Sequence, residues 1–281
     1  MKKKKKEPQY VKSFLNEEVL NYRVYYLAKH WKVLLRIVAF LLGAGVGYIF
    51  YGGLFSDDYG YATTKTLISN AVFMSIFGIA AAIYIVPLME KFILERRKRA
   101  LRTQFRDLLD SLVSSINSSS TTAQAFFDAR RDLGFQYGEK DFIIQELDVI
   151  NRGIDNNVRI EELLNDFASR TDDTDIKSFA NVFAISNEKG GDNREVLNKT
   201  RTIINDKIII QEEIETAVAA PQMWLNFMLV APILLTAMIK FTSTDFKNSF
   251  SSEEGVMATT FAIVLFVISY FWGRFILRTK V

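Results

Sequence analysis

The sequence predicts an all-α, polytopic membrane protein with four transmembrane helices and one cytoplasmic antiparallel helical bundle of about six helices. Three observations predict it. Four windows long enough to cross a bilayer carry no charged side chain: Ile37–Ser56, Thr66–Met89, Ala217–Ile239 and Gly255–Gly273. A polar block of more than a hundred residues lies between the second window and the third. Inside that block the apolar residues recur at helical period.

A span needs about 20 mostly apolar residues to cross about 30 Å of hydrocarbon. The windows place spans at 34–56, 66–89, 221–240 and 255–274, with a basic segment 1–33 before them and a tail 275–281 after. Lysine and arginine placement orients them. Residues 1–36 hold ten, Lys2 to Lys6 among them, and residues 90–106 hold seven, including Arg96, Arg97, Lys98 and Arg99. The connections 57–65 and 240–254 carry few basic residues, and the tail has Arg274, Arg278 and Lys280. The alternation predicts cytoplasmic termini, a cytoplasmic central domain and two short outer loops.

No Asp, Glu, Lys, Arg or His lies inside the four windows. Such residues mark proton relays and ion pathways, so a pump or proton-coupled transporter is disfavoured. Gly43 and Gly47 form a G-x-x-x-G that permits close helix contact. Pro232 removes one backbone hydrogen bond and predicts a kink in the third span; Pro221 marks its junction with the domain. The one histidine, His30, stands beside Trp31 and reads as an interfacial residue.

The domain, 98–220, is acidic. Residues 107–222 hold 22 acids against 12 bases, a net of −10, which leaves +13 on the rest of the chain. An acidic domain repels phosphate backbones, so no nucleic acid is expected as partner. The Lys2–Lys6 run is read as a lipid contact.

Leu101, Phe105, Leu108, Leu109, Leu112, Val113 and Ile116 form one apolar stripe of a first domain helix. Asn117–Ser120 breaks it. Thr121 with Gln124 is a capping-box pattern for a second helix carrying Ala125, Phe126, Ala129 and Leu133. A third helix is expected over Asp141 to Arg152, with Phe142, Ile143, Leu147 and Ile150 inward and Gly153 just past its end. A fourth covers Arg159 to Ser169 and buries Ile160, Leu163, Leu164 and Phe167. Thr171–Asp175 is a turn and cap, and a fifth helix, Ile176 to Asn187, turns Phe179, Ala180, Phe183 and Ile185 inward. The sixth, Asn193 to Ala220, carries Val196, Leu197, Ile203, Ile204, Ile208 and Ile214 and feeds the third span. Three connections share one cadence, a polar turn, a cap and an apolar helix start: those at Ser118, Gly153 and Gly191.

No catalytic pattern assembles. There is no cysteine, one histidine, no P-loop, no G-x-G-x-x-G, no H-E-x-x-H and no G-x-S-x-G. Asp172, Asp173 and Asp175 lack the spacing of a calcium loop and suit a helix N-cap. The expectation is a non-enzyme without cofactor or metal.

The stretch Asn187-Glu-Lys-Gly-Gly-Asp-Asn-Arg-Glu-Val-Leu197 resembles the Glu-x-Gly-Gly-x-Leu-x-x-Val-Leu turn of the type II secretion system F family. The order of the elements is similar to its short branch, the tight-adherence (Tad) pilus platform proteins, which have two spans, one domain and two spans. The resemblance covers about residues 98–277. It departs at Ser118–Ser119, where the family usually has Gly, and at Arg194, where an apolar residue is common.

The resemblance implies a platform in the cytoplasmic membrane at the base of a filament machine. Its partners would be a hexameric assembly ATPase, the transmembrane helices of pilin or pseudopilin, other platform or alignment subunits, and the lipid bilayer, in a homo- or hetero-oligomer. It carries a partner contact onto Glu188, Gly190, Gly191 and Glu195. A transporter or channel subunit whose acidic domain docks a separate motor is the alternative.

Overall fold

The computed structural model describes residues 7–55, 62–118, 121–188, 193–243, 246, 249–250 and 252–276. Among them the chain is about 82% helical, in eight helices, so the all-α class holds. The helices are α1 (Lys29–Tyr51), α2 (Thr64–Asn117), α3 (Thr122–Gln136), α4 (Phe142–Asp155), α5 (Ile160–Arg170), α6 (Thr174–Glu188), α7 (Asn193–Thr242) and α8 (Glu253–Ile276). Four of them are long and apolar enough to cross a membrane: α1, α2, α7 and α8. Their apolar side chains face outward; Leu42, Tyr84, Met238 and Phe275 are all more than 60% exposed. Contiguous apolar surface on that scale needs lipid or another protein against it.

The chain divides into two compact units: residues 1–26 with 90–210, and residues 27–89 with 211–281. The first is a helical unit built from the C-terminal part of α2, α3 to α6 and the N-terminal part of α7. The stripe from Leu101 to Ile116 is buried throughout and forms the centre of its core, against Phe126, Phe167, Phe179 and Phe183. Thr121 caps α3 by accepting the Gln124 amide at 3.2 Å, but the Gln124 side chain turns to Asp128 instead of closing the box. Asp173 caps α6, accepting the amides of Asp175 at 2.8 Å and Ile176 at 3.4 Å. The cap of α4 comes from another helix: buried Gln104 accepts the Ile143 amide at 3.1 Å and donates to Asp141 at 3.2 Å.

Two expectations are corrected here. Gly153 does not end its helix. It lies inside α4, and a Cβ there would come within 2.4 Å of the Leu163 side chain, so the glycine serves the close approach of α5. The left-handed residue that ends the turn is Asn157, at φ 60°; Asn tolerates that region better than most side chains. Ile185 and Ile203 are 51% and 49% exposed instead of inward. Within segment 1–33 the structure adds a feature that the sequence reading did not name. Residues Tyr10–Lys12 (β1) and Glu18–Leu20 (β2) pair antiparallel, Tyr10 opposite Leu20, and Tyr22 enters the core of the helical unit.

In the second unit the G-x-x-x-G face of α1 meets α2. Cβ atoms at Gly43 and Gly47 would stand 2.6 and 3.0 Å from the carbonyl oxygens of Phe77 and Phe73. Tyr51 stacks on Phe73 at 4.3 Å, and its hydroxyl lies 3.0 Å from that of Thr260 on α8. Lys240 on α7 donates to the carbonyls of Ile49 and Gly52 at 3.2 and 2.6 Å, so a cation serves the carbonyl end of α1. Pro87 lies inside α2, and Pro221 and Pro232 lie inside α7, without interrupting the helices.

Candidate functional site

Helix ends that flank the three connections sharing a cadence in sequence come together at one end of the helical unit. α2 ends at Asn117, and Arg194, in the first turn of α7, donates to the Ile116 carbonyl at 2.9 Å. That bond satisfies a terminal carbonyl of α2 from the start of α7. The α4–α5 turn closes through the Val158 amide on the Gly153 carbonyl at 2.9 Å. Asn187, at the end of α6, donates to Glu161 in the first turn of α5. A cleft of about 320 Å³ joins them, lined by Thr122 and Ala123 from α3, Asn157 and Arg159 from the turn, and Asn187. Glu161 and Glu162 sit at the N-terminus of α5, where the helix dipole favours negative charge.

Beside this end runs an open groove of about 450 Å³ between α6 and α7. Buried Phe179 and Ile204 form its floor. Val182, Val196 and Ile203 form its walls, and Asp175, Glu195 and Lys199 its rim. The exposure of Ile203 has its physical sense here: it belongs to an apolar surface that no described segment of the helical unit covers.

Of the carried-over contact residues, Glu195 lines the groove and Glu188 is exposed at the end of α6. Gly190 and Gly191 lie outside the described residues. Gly43 and Gly47 are the α1–α2 contact described above. Pro221 and Pro232 fall within α7.

The basic collar after the second apolar window divides by role. Arg96 and Arg99 are exposed. Arg97 stacks over the Tyr25 ring at 4.1 Å. Lys98 pairs with Asp172 at 3.1 Å and Arg102 with Asp173 at 2.8 Å, while Lys207 reaches Asp175. The hydrogen bond from Lys98 holds the Asp172 carboxyl below its ordinary value. The acidic run Asp172–Asp175 is therefore a cap with three cationic partners. Among the described residues no group of His, Cys, Asp or Glu is placed to hold a metal ion.

Sequence reasoning missed the most buried polar cluster. Glu146 and Arg170 are 3% and 5% exposed and form a bidentate pair, with Nη1 to Oε1 at 2.7 Å and Nη2 to Oε2 at 2.5 Å. Tyr22 donates its hydroxyl to Glu146 at 2.8 Å, and Arg170 also donates to Asp166 at 3.1 Å. Burial first, then the charge of Glu146, push the Tyr22 phenol well above its usual range. Burial by itself would lower Arg170, but its bond to Glu146 leaves a net upward shift. A signal was present: Glu146 falls in phase with Ile143 and Ile150, and Arg170 with Leu163 and Phe167, so both charges sit on core faces and need partners.

Taken together, the site offers gathered helix ends and an open apolar groove with a charged rim, which suits contact with a protein segment. Compared with family models, curated proteins and solved structures, the chain gives no match.

Proposed function

We propose that this chain is a non-enzymatic platform protein of a type II secretion or type IV (Tad-like) pilus assembly machine. In this reading it sits in the cytoplasmic membrane, with the helical unit and the N-terminal segment inside. The helical unit, an antiparallel bundle, docks the hexameric assembly ATPase. The spans touch pilin helices as they leave the bilayer, and the ATPase's work reaches them through the platform.

One observation carries the reading: an acidic helical unit inserted in sequence between two pairs of apolar helices, with the helix ends that flank its three like-patterned connections gathered at one end beside an open groove. The exposed Val182 and Ile203 are where a partner segment would rest. The positive-inside rule supplies the orientation.

Photo-crosslinking residues placed at Val182 and Ile203, in the native host, test it. Mass spectrometric identification of a secretion-type ATPase in the captured adduct supports the platform reading. Capture of transport components alone, at normal expression, overturns it in favour of a transporter subunit.

A further inference from the structure

Three carboxamide side chains lie inside the apolar windows: Asn70, Gln222 and Asn226. Asn70 has a partner, since its Oδ1 accepts the Gly53 amide at 3.1 Å. The other two stand one turn apart on α7, and both are exposed. Among the described residues neither of these two side chains has a hydrogen-bond partner. Asn198, lower on the same helix, folds back on the Arg194 carbonyl at 3.0 Å; Asn226 does not do the same with its own helix.

Depth gives the difference its weight. The third window runs from Ala217 to Ile239, with Met228 at its midpoint. At about 1.5 Å per residue, Asn226 lies about 3 Å from that midpoint and Gln222 about 9 Å, inside a half-thickness of about 15 Å. Water does not reach that depth, and a carboxamide without a partner in hydrocarbon is costly. The most apolar stretch of α7 has no buried residue, so it is left to lipid or to another chain. Met223 and Val230 share the side of Asn226, three residues before it and four after, and both are exposed. Helices associate in bilayers through such faces, with a polar side chain as the glue.

The partner must offer a donor and an acceptor at the same depth. A carboxamide donates through its NH2 and accepts through its oxygen, so it complements itself. A two-fold axis along the membrane normal brings each residue of a helix beside its equivalent, at equal depth. A second copy of this chain meets both requirements. We propose that two copies associate in the bilayer through the Gln222–Asn226 face of α7, with their Asn226 carboxamides hydrogen-bonded to each other. The proposal rests on the membrane reading of α7 and stands apart from the platform role.

The chain has no cysteine, so single thiols report the face directly. Val230→Cys places one beside Asn226, and Met228→Cys places one about 200° around the helix from Asn226. Each full-length variant is reconstituted in phosphatidylcholine vesicles, floated, and oxidised with copper phenanthroline over a range of protein-to-lipid ratios. Val230→Cys gives covalent dimer in several times the yield of Met228→Cys. Adding Asn226→Leu to Val230→Cys raises the ratio needed for half-maximal dimer by about five- to thirty-fold, whereas Asn226→Gln, which keeps the carboxamide, retains most of the association. A chain that does not float with the vesicles overturns the membrane reading and the proposal with it. A floating chain that gives no dimer, or equal dimer from both thiols, overturns the self-association alone. So does a half-maximal ratio unchanged by Asn226→Leu. In native membranes, a photo-crosslinker at Val230 that captures only a different protein, or only lipid, overturns the choice of a second copy.

Discussion

Arg170→Met should release the N-terminal hairpin more completely than Glu146→Gln, and the structure gives the order of the two costs. Removing one member of a buried ion pair costs about 3–5 kcal/mol, because the other charge stays behind without compensation. After Glu146→Gln, Arg170 keeps Asp166 at 3.1 Å, and the new amide can still accept the Tyr22 hydroxyl, which places the loss at the lower end. After Arg170→Met, Glu146 keeps the Tyr22 hydroxyl at 2.8 Å but no cation, so the loss lies at the upper end. At about 1.4 kcal/mol per tenfold, these are increases of about two and about three and a half powers of ten in the opening equilibrium. Hydrogen exchange on the full chain reads it directly in a peptide spanning residues 9–26. There the Tyr22 amide is bonded to the Arg170 carbonyl at 3.0 Å and the Asn21 amide to the Gln9 carbonyl at 2.9 Å. Replacing both partners by apolar residues, Glu146→Leu with Arg170→Met, should recover most of the protection, since neither charge is then left buried alone. Wild-type exchange of this peptide in Arg170→Met would refute the reasoning, because a buried, docked pair cannot lose one member without cost.

Gly43→Ala should lower the thermal stability of the detergent-solubilised chain by about 1–3 kcal/mol, since the added Cβ meets the backbone carbonyl of Phe77 at 2.6 Å; Gly45→Ala, with nothing within 4 Å, should not lower it. Gly153→Ala gains about 0.5–1 kcal/mol of helix preference but pushes into buried Leu163, for a net loss of about 1–2 kcal/mol in chemical unfolding of the helical unit. The Tyr22 phenol is held protonated in the folded state far above its free value of 10.0, whereas the unfolded chain ionises there, so above pH 10 the unfolded state binds fewer protons and stability falls as pH rises. Subtracting the alkaline stability profile of Tyr22→Phe from that of the wild type should isolate this slope, and identical profiles would show that Tyr22 is not buried.

Much of the helical unit was legible because its periodicity is strong. Each residue of the stripe from Leu101 to Ile116 is buried, and Thr121 and Asp173 cap the helices that follow them. What failed did so for identifiable reasons. Gly153 looked like a helix end because glycine often follows one, yet here it answers to a neighbour, Leu163, that no local pattern reveals. Ile185 and Ile203 continue apolar stripes past the width of the face that is covered, and periodicity cannot say where a neighbouring helix stops. The hairpin was hidden because its strands have three residues each, too few to show alternation, and because its anchor is a phenol donating to a carboxylate 124 residues away. The gathering of the helix ends that flank the three connections was foreshadowed only by a shared cadence, since capping chemistry alone makes such connections alike wherever they lie.

The docked N-terminal segment also changes what the basic collar means. Lysine and arginine beside an apolar window are accounted for by orientation in the membrane, and that argument treats them as equivalent. In this chain they are not. Lys98 and Arg102 hold the turn at Asp172 and Asp173, where Asp173 caps α6, and Arg97 covers Tyr25; Arg96 is exposed. Neutralising Lys98 or Arg102 therefore removes an ion-pair partner of the Asp172–Asp173 turn as well as a basic charge beside the apolar window, whereas neutralising Arg96 removes a surface charge. An insertion defect from Arg96→Gln reports on membrane orientation. The same defect from Arg102→Gln does not separate orientation from folding, because the Asp173 carboxylate it abandons is 9% exposed and already committed to two amides of α6. One run of sequence thus carries two physical roles, divided residue by residue according to which face of α2 meets the rest of the helical unit.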